Sequence, residues 1–336
     1  PKGASMLTVQ IDSRDEFKDG TTTAMERALN RFFRHTLWTM LAWDEQCQNA
    51  LANTRSFALS SPGRQWPAEM ANTCATDIGR PSVTVQNALL FKGYTYTRPT
   101  GSIITAIDTH QRDVLVDGFG VPKESVLVCG SPRFDTISRS ATQRTVQSNM
   151  ADHPVALFAT QPGIEDVAVR VLCTLSERVL PANSGLRVRV KMHPRSTAAD
   201  ITKLRSTIED LTSARNFELL ESGDIDTLID ECDLVLTAYS NVGLEAAIRG
   251  KPVIFTPLDT GMAPLCTPGL GEIAQSDDAV ADLVSSLLQD EAFRHAHATA
   301  QHLFFDANPH LRDGTSTAEI KRAIDAALAS VNAFDT

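Results

Sequence analysis

The chain has 336 residues, 42% of them hydrophobic and 21% charged, enough to bury two cores of ordinary domain size. Its 31 Lys and Arg stand against 41 Asp and Glu, and the net charge of −10 has the wrong sign for holding a nucleic acid by broad electrostatics. No apolar run approaches the roughly 18 residues of a membrane span, and six cysteines without a C-x-x-C pair read as reduced thiols of a cytosolic protein.

The first five residues, Pro1 to Ser5, read as a tag remnant before a start methionine, Met6. From Thr21 to Thr54 apolar side chains (Met25, Leu29, Phe32, Phe33, Leu37, Leu41) recur at helical spacing. Strand-type and helix-type runs then alternate. Strands are expected at Ser56–Ser60, Ser82–Val85, Ser102–Ile107 and Ser125–Cys129, and helices at Pro67–Ile78 and Thr109–Asp117. The polar stretch 138–153 has no strong period and reads as a linker.

The alternation then restarts. Strands are expected at Pro154–Ala159, Leu186–Met192, Phe217–Leu220, Leu234–Thr237 and Pro252–Phe255. Between them lie helical runs at Ile164–Leu180, Thr197–Leu211, Ile225–Cys232 and Val242–Arg249, and three helices (Asp278–Asp290, Ala292–Phe305, Thr317–Ala333) close the chain. This order predicts an α/β protein with two Rossmann-like domains facing a cleft. The domains are 6–137, abbreviated to about four strands, and 154–336. In open parallel sheets ligands sit beyond the carboxyl ends of the strands, so informative residues should follow strands directly.

Four constellations do. Arg187, Arg189 and Lys191 alternate along one strand, and His193-Pro194-Arg195 follows it. The alternation places the three cations on one face. Pro194 holds His193 extended, where the imidazole could donate to a phosphate oxygen. The competing reading is an edge strand with a solvated cationic face. Next, Leu234–Thr237 runs through a tight turn into a helix, with Ser240 or Asn241 at the N-cap and Glu245 one turn in. Such a helix start is an anion site, although an ordinary capped helix has the same pattern. Thr160 and Gln161 lie in a third strand-to-helix turn. The fourth is on the first half: Gln86 and Asn87 after one strand, and Ser131 and Arg133 after the last. Among carboxylates that could serve as base or nucleophile (Asp77, Asp108, Asp135), only Asp108 directly follows a predicted strand. There is no dinucleotide fingerprint, P-loop or G-x-S-x-G elbow. His295 and His297 diverge by about 200° on a helix, so no metal site is expected there.

Taken in order, these pieces resemble one family. They are the segment Gly120–Asp135 (G-V-P-x-x-x-V-L-V-x-G-S-P-R-F-D), a strand ending in Thr160-Gln161, Lys191-x-His193-Pro194, and Cys232–Ile254 (C-D-L-V-L-T-x-Y-S-N-x-x-x-E-A-x-x-x-G-K-P-V-I). They resemble the GT-B glycosyltransferases of bacterial surface polysaccharides, such as capsule, lipopolysaccharide and teichoic acid. The likeness is to the cytidine-donor families in particular: capsule Kdo and sialic acid transferases, and CDP-glycerol transferases. The tail Asp313–Ala318 resembles the segment that opens their last helix.

The resemblance implies a metal-independent transferase without a cofactor, moving a sugar from a nucleotide-activated, CMP-type donor to a glycan or lipid-linked acceptor. It implies His193 and Ser240 on the donor phosphate and Glu245 on the ribose. Thr160, Gln161, Lys191 and Asn241 would lie near the donor, and Glu221, Ser222 and Gly223 near the base. Asp108, from its place directly after a strand, and His193 are the expected catalytic residues, and Gln86, Asn87, Ser131 and Arg133 are expected on the acceptor side or in the cleft. Many relatives have Gln-His-Gly where this chain has Gln86-Asn87-Ala88. A cytoplasmic protein is expected, with peripheral attachment at the inner membrane or to other modules of a larger polymerase as options. The rival expectations are a UDP-N-acetylglucosamine 2-epimerase-like isomerase and a non-catalytic sugar-nucleotide or glycan-binding module.

Overall fold

A computed structural model describes residues 42, 44–51, 58–60, 66–86, 88–90, 98–141, 151–258 and 267–332. Of the long N-terminal helical run, residue 42 and the helix at 44–51 (α1) are described and the rest lies outside those residues. Two all-parallel sheets follow. The first has the order β1 (Ala58–Ser60), β2 (Ser82–Thr84), β3 (Ile103–Ala106), β4 (Val126–Val128). Its helices are α2 (Trp66–Asp77) and α3 (Thr109–Asp113).

The second sheet has six strands: β5 (Val155–Ala159), β6 (Arg187–Lys191), β7 (Phe217–Leu220), β8 (Leu234–Thr237), β9 (Val253–Phe255) and β10 (Glu272–Ile273). Their spatial order is β10-β9-β8-β5-β6-β7. Read in chain order, this is the doubly wound arrangement with the first strand at its centre. The chain leaves β5 toward one side of the sheet and reaches β8 on the other, so a crevice opens between their carboxyl ends. Burial explains the run composition: β8 and β9 are buried at every position, and read as unbroken apolar runs rather than alternations.

The connecting helices are α5 (Glu165–Thr174), α6 (Ala198–Asp210), α7 (Ile225–Glu231) and α8 (Asn241–Ile248). Beyond the second sheet come α9 (Asp277–Gln289), α10 (Glu291–Ala307), α11 (His310–Asp313) and α12 (Ser316–Asn332). Among the described residues, no helix is long and apolar enough to cross a membrane.

Three elements depart from the sequence expectations. The short edge strand β10 pairs with β9 through only two residues, too few to show a period. The short helix α11 was likewise missed. More consequential is a helix, α4 (Pro132–Ala141), where the sequence reading placed no element between the last strand of the first half and the linker. Pro132 occupies its first turn, where a missing N–H costs nothing. The helix buries Phe134 and Ile137 in a core that also holds Leu157, Val235, Leu244, Phe255, Phe305 and Leu311 of the second half. It packs against α8, α11 and α12. The first half is thus joined to the second through a shared apolar core rather than a polar linker alone.

The candidate nucleotide-sugar site

The described cavity that concentrates the expected groups has a volume of about 400 Å³. It lies beyond the carboxyl ends of β5, β6, β7 and β8, at the crevice where the strand order reverses. Ala159 and Thr160 come from β5, Lys191 to Pro194 from β6, Gly223 to Ile225 from the turn after β7, and Ser240 and Val242 from the turn after β8. Arg133 comes from the first half.

His193 is held by its own turn. Its Nδ1 accepts the Arg195 backbone N–H at 3.0 Å, so Nε2 carries the proton of the neutral ring and is a donor. Burial, then the charges of Arg195 and Lys191, push the imidazole below the ordinary histidine value. At neutral pH the ring is therefore an uncharged donor. Ser240 is the N-cap of α8, and its hydroxyl oxygen accepts the Val242 N–H at 3.2 Å, leaving the hydroxyl proton to donate elsewhere. The dipole of α8 favours an anion at that helix start. Phe255 and Thr237 hold α8 in place: a Cβ on Gly243 would stand 2.9 Å from the Phe255 ring.

Lys191 is buried, and burial pushes its ammonium below the ordinary lysine value. It donates to the Met192 carbonyl at 2.9 Å. Thr160 is fixed to the same strand end, with its hydroxyl donating to the Lys191 carbonyl at 3.0 Å. Gln161 follows Thr160 and is buried, and its Oε1 has no hydrogen-bond partner among the described residues.

The expected cluster of cations does not gather here. Arg187 turns outward to the Arg215 carbonyl, and Arg189 pairs with Glu218 and Glu231. The alternation was read correctly, but neighbouring carboxylates and a carbonyl take up two of the three cations. Glu221 is exposed and paired with Arg205. Asp224, which sequence reading passed over, lines the cavity, but its carboxylate caps α7 through the Thr227 N–H and hydroxyl. The D-x-x-T spacing before a helix was the available signal. His297 is a core residue: its Nδ1 meets Glu272 at 3.0 Å and its Nε2 accepts the Val253 N–H at 3.4 Å.

The first half behaves differently. Gln86 is buried, its Oε1 accepting the Ile107 N–H at 2.7 Å and its Nε2 donating to the Ala88 carbonyl at 2.9 Å. Asn87 lies outside the described residues. Ser131 is buried at the start of α4. Asp108 is fully buried and caps α3, accepting the Gln111 N–H at 2.7 Å and the Thr267 hydroxyl at 2.9 Å. Burial pushes its carboxyl up, against the opposing pull of those two hydrogen bonds. Asp135 receives the Ser316 and Thr317 N–H groups at 3.0 and 2.9 Å and the Thr317 hydroxyl at 2.5 Å, and so caps α12. Asp77 is exposed at the end of α2. None of the three carboxylates expected to supply a base or nucleophile lines the cavity.

Arg133 does line it, and its Nε donates to Glu245 Oε1 at 2.7 Å. Glu245 is 2% exposed, and its Oε2 has no hydrogen-bond partner among the described residues. Asn241 is the first residue of α8; it, Gln161 and Glu245 are not among the lining residues, though Gln161 and Asn241 adjoin lining residues in the chain and Glu245 is bonded to Arg133.

Known proteins bear out the architecture. A putative UDP-N-acetylglucosamine 2-epimerase from Listeria monocytogenes superposes with a TM-score of 0.61 at 16% identity, covering 85% of this chain and 79% of that one. The UDP-GlcNAc 2-epimerase of Neisseria meningitidis, solved with UDP-GlcNAc bound, gives 0.60 at 14% identity, over 85% and 81% of the two chains. The wall teichoic acid polymerase TagF with CDPG gives 0.50 at 15% identity, over 81% and 72%. The fold is of the GT-B type. Residues 151–275 also match the model of the family described as "Capsule polysaccharide biosynthesis protein". That stretch is the GT-B half that carries the cavity. No curated protein sequence matches the chain significantly.

Proposed function

We propose that the protein is a glycosyltransferase of bacterial surface polysaccharide assembly, and that the cavity beyond β5–β8 binds its nucleotide-activated donor. The observation that carries this reading is the convergence of the His193 Nε2 proton, the Ser240 hydroxyl and the start of α8 on one cavity. Two oriented donors and the positive end of a helix dipole would then face the phosphate on which charge develops as the sugar leaves. The orphaned buried Oε2 of Glu245 supports a ligand hydroxyl at that end of the site, as a ribose would supply. Since the donors themselves stabilise the leaving phosphate, this reading invokes no metal and no cofactor. The match to the capsule family over the donor-binding half supports the substrate class. The finer proposal is a CMP-linked donor of the Kdo or sialic acid type and a surface glycan acceptor, lipid-linked or free. In this mechanism Asp108 is a support rather than the base, because both of its oxygens already serve protein partners.

Thermal shift with CMP, CDP, UDP and GDP tests it. A ligand at a hundred times its Kd adds about 2.7 kcal/mol of stability. A response to cytidine nucleotides selects the donor class, and silence toward all four sinks the reading. His193→Ala should weaken the response at least about tenfold in Kd, the worth of a hydrogen bond to a charged group.

A second reading is favoured by the epimerase likenesses at TM-scores of 0.61 and 0.60. An isomerase of that kind would convert UDP-N-acetylglucosamine with no acceptor present. Incubation with that compound alone, followed by chromatography of the sugar, separates the two: conversion establishes the isomerase, and an unchanged substrate removes it.

A further inference from the structure

Arg133 is the one described side chain by which the first half reaches the cavity. It is held by a single point, Nε to Glu245 Oε1 at 2.7 Å. Among the described residues its two terminal nitrogens have no protein partner, and its side chain is 51% exposed. A guanidinium fixed at Nε is already oriented, and its free edge presents a planar fork of N–H donors that fits two oxygens of a phosphate or carboxylate. The carboxylate that orients it is 2% exposed and belongs to α8, the helix whose start forms the floor of the site. The cavity's other cationic side chain, Lys191, spends a proton on the Met192 carbonyl, and its other polar donors come from the second half.

We infer that Arg133 is a ligand for an oxyanion of the bound substrate, supplied across the cleft by the first half and aimed by Glu245. This rests on the donor-site reading above and deepens it. The site then recognises an anionic group from both halves at once, and binding the substrate ties the first half to the second through Arg133. Two groups share the required chemistry: a phosphate of the nucleotide, or a carboxylate on the sugar it carries.

The test compares ligands that differ only in that anion, by calorimetry on the full chain. Wild type, Arg133→Ala, Arg133→Lys and Glu245→Gln are titrated with cytidine, CMP, CDP, inorganic pyrophosphate and a CMP-linked acidic sugar. Arg133→Ala is expected to weaken the oxyanion ligands about ten- to hundredfold while leaving cytidine unchanged. Arg133→Lys should recover part of the loss, because the charge survives and the fork does not. Glu245→Gln should lose less than Arg133→Ala. A loss confined to the acidic sugar assigns the carboxylate, and a loss already seen with CMP assigns the phosphate.

Melting curves of the unliganded variants show whether each is folded, and Arg133→Lys carries the test if Arg133→Ala is not. Equal weakening of cytidine and CMP, or no weakening of any oxyanion ligand, overturns the inference, because it marks the arginine as a purely structural tie. Failure of the donor-site reading looks different: the wild type then binds no nucleotide. In that case Arg133-dependent pyrophosphate binding would preserve the arginine's role, and silence toward pyrophosphate as well would end both.

Discussion

The carboxyl edges of the two parallel sheets occupy equivalent places, yet they use their polar side chains in opposite ways. On the first sheet, Gln86 after β2, Asp108 after β3 and Asp135 after β4 are turned inward and bonded, and Arg133 alone of the described polar side chains there reaches the cavity. Gln86 ties β2 to the segment after β3, Asp108 caps α3 and takes the Thr267 hydroxyl, and Asp135 caps α12. His310 and Asn308 add bonds to the Ile107 carbonyl and the Thr109 N–H at 2.8 and 2.9 Å. This edge is a socket for the C-terminal segment 308–317. On the second sheet, the same position leaves donors facing a cavity, with two buried oxygens, Gln161 Oε1 and Glu245 Oε2, unpaired among the described residues. A strand-end carboxylate is therefore no guide to catalysis by position alone: what decides is whether the rest of the chain has already satisfied it.

Breaking the socket should cost stability and spare the site. Asp108→Ala leaves the Gln111 N–H and the Thr267 hydroxyl unpaired inside the protein, an expected loss of about 2–4 kcal/mol in urea unfolding. Nucleotide affinity of the folded fraction should hold. Full stability with abolished turnover would instead restore Asp108 as a catalytic group.

The floor of the open edge is tested by Gly243→Ala. Its new Cβ would press on the Phe255 ring, an overpacking cost of about 1–3 kcal/mol, and it should shift α8 enough to weaken nucleotide binding as well. A stability loss without an affinity loss would separate α8 from the site. Ser240→Ala is smaller still, about 1 kcal/mol of stability for the lost cap, with a larger proportional effect on nucleotide Kd than on melting temperature. Titration of both variants against CMP and CDP distinguishes the contributions.

The smallest effect lies in pH dependence, and there the two socket carboxylates should pull in opposite directions. For Asp135, burial pushes the carboxyl up, but the hydrogen bonds from Thr317 and Ser316 outweigh it and hold it below the usual value. Its folded-state pKa is thus depressed, so its stabilisation is present above about pH 4, the unfolded value, and is lost as pH falls through the folded value. Asp108 is raised, so its share is complete below about pH 4 and is lost as pH rises through its folded value. In urea unfolding between about pH 3 and 6, Asp135→Asn should flatten the acid limb of the stability curve, and Asp108→Asn should steepen it. An unchanged limb in Asp135→Asn would show that the cap of α12 contributes little.

Much of this was legible in the chain. Nine of the strands follow from their apolar runs, and the helix start at Ser240 follows from a capping residue directly after a strand. The placement of His193 after β6 follows from Pro194, which stops the strand and fixes the turn. The missed helix α4 has a physical reason. Its polar face reads as a linker, and the burial of Phe134 and Ile137 depends in large part on distant residues such as Leu244, Phe255, Phe305 and Leu311. The basic strand misled for the converse reason: Arg187 and Arg189 find partners in β7, α7 and the turn before β7, which no local pattern announces.

The sequence by itself determined the alternation of elements, two parallel sheets, an acidic surface unsuited to broad polyanion binding, and the residues that end each strand of the second half. These depend on neighbours within a few positions, through side-chain period, caps and prolines. Only the tertiary structure decided which strand ends stay open. Asp135 meets α12 across 181 positions and Arg133 meets Glu245 across 112, and such pairings depend on how the two sheets close on one another. A buried polar group becomes a ligand site or a brace according to whether that closure brings it a partner.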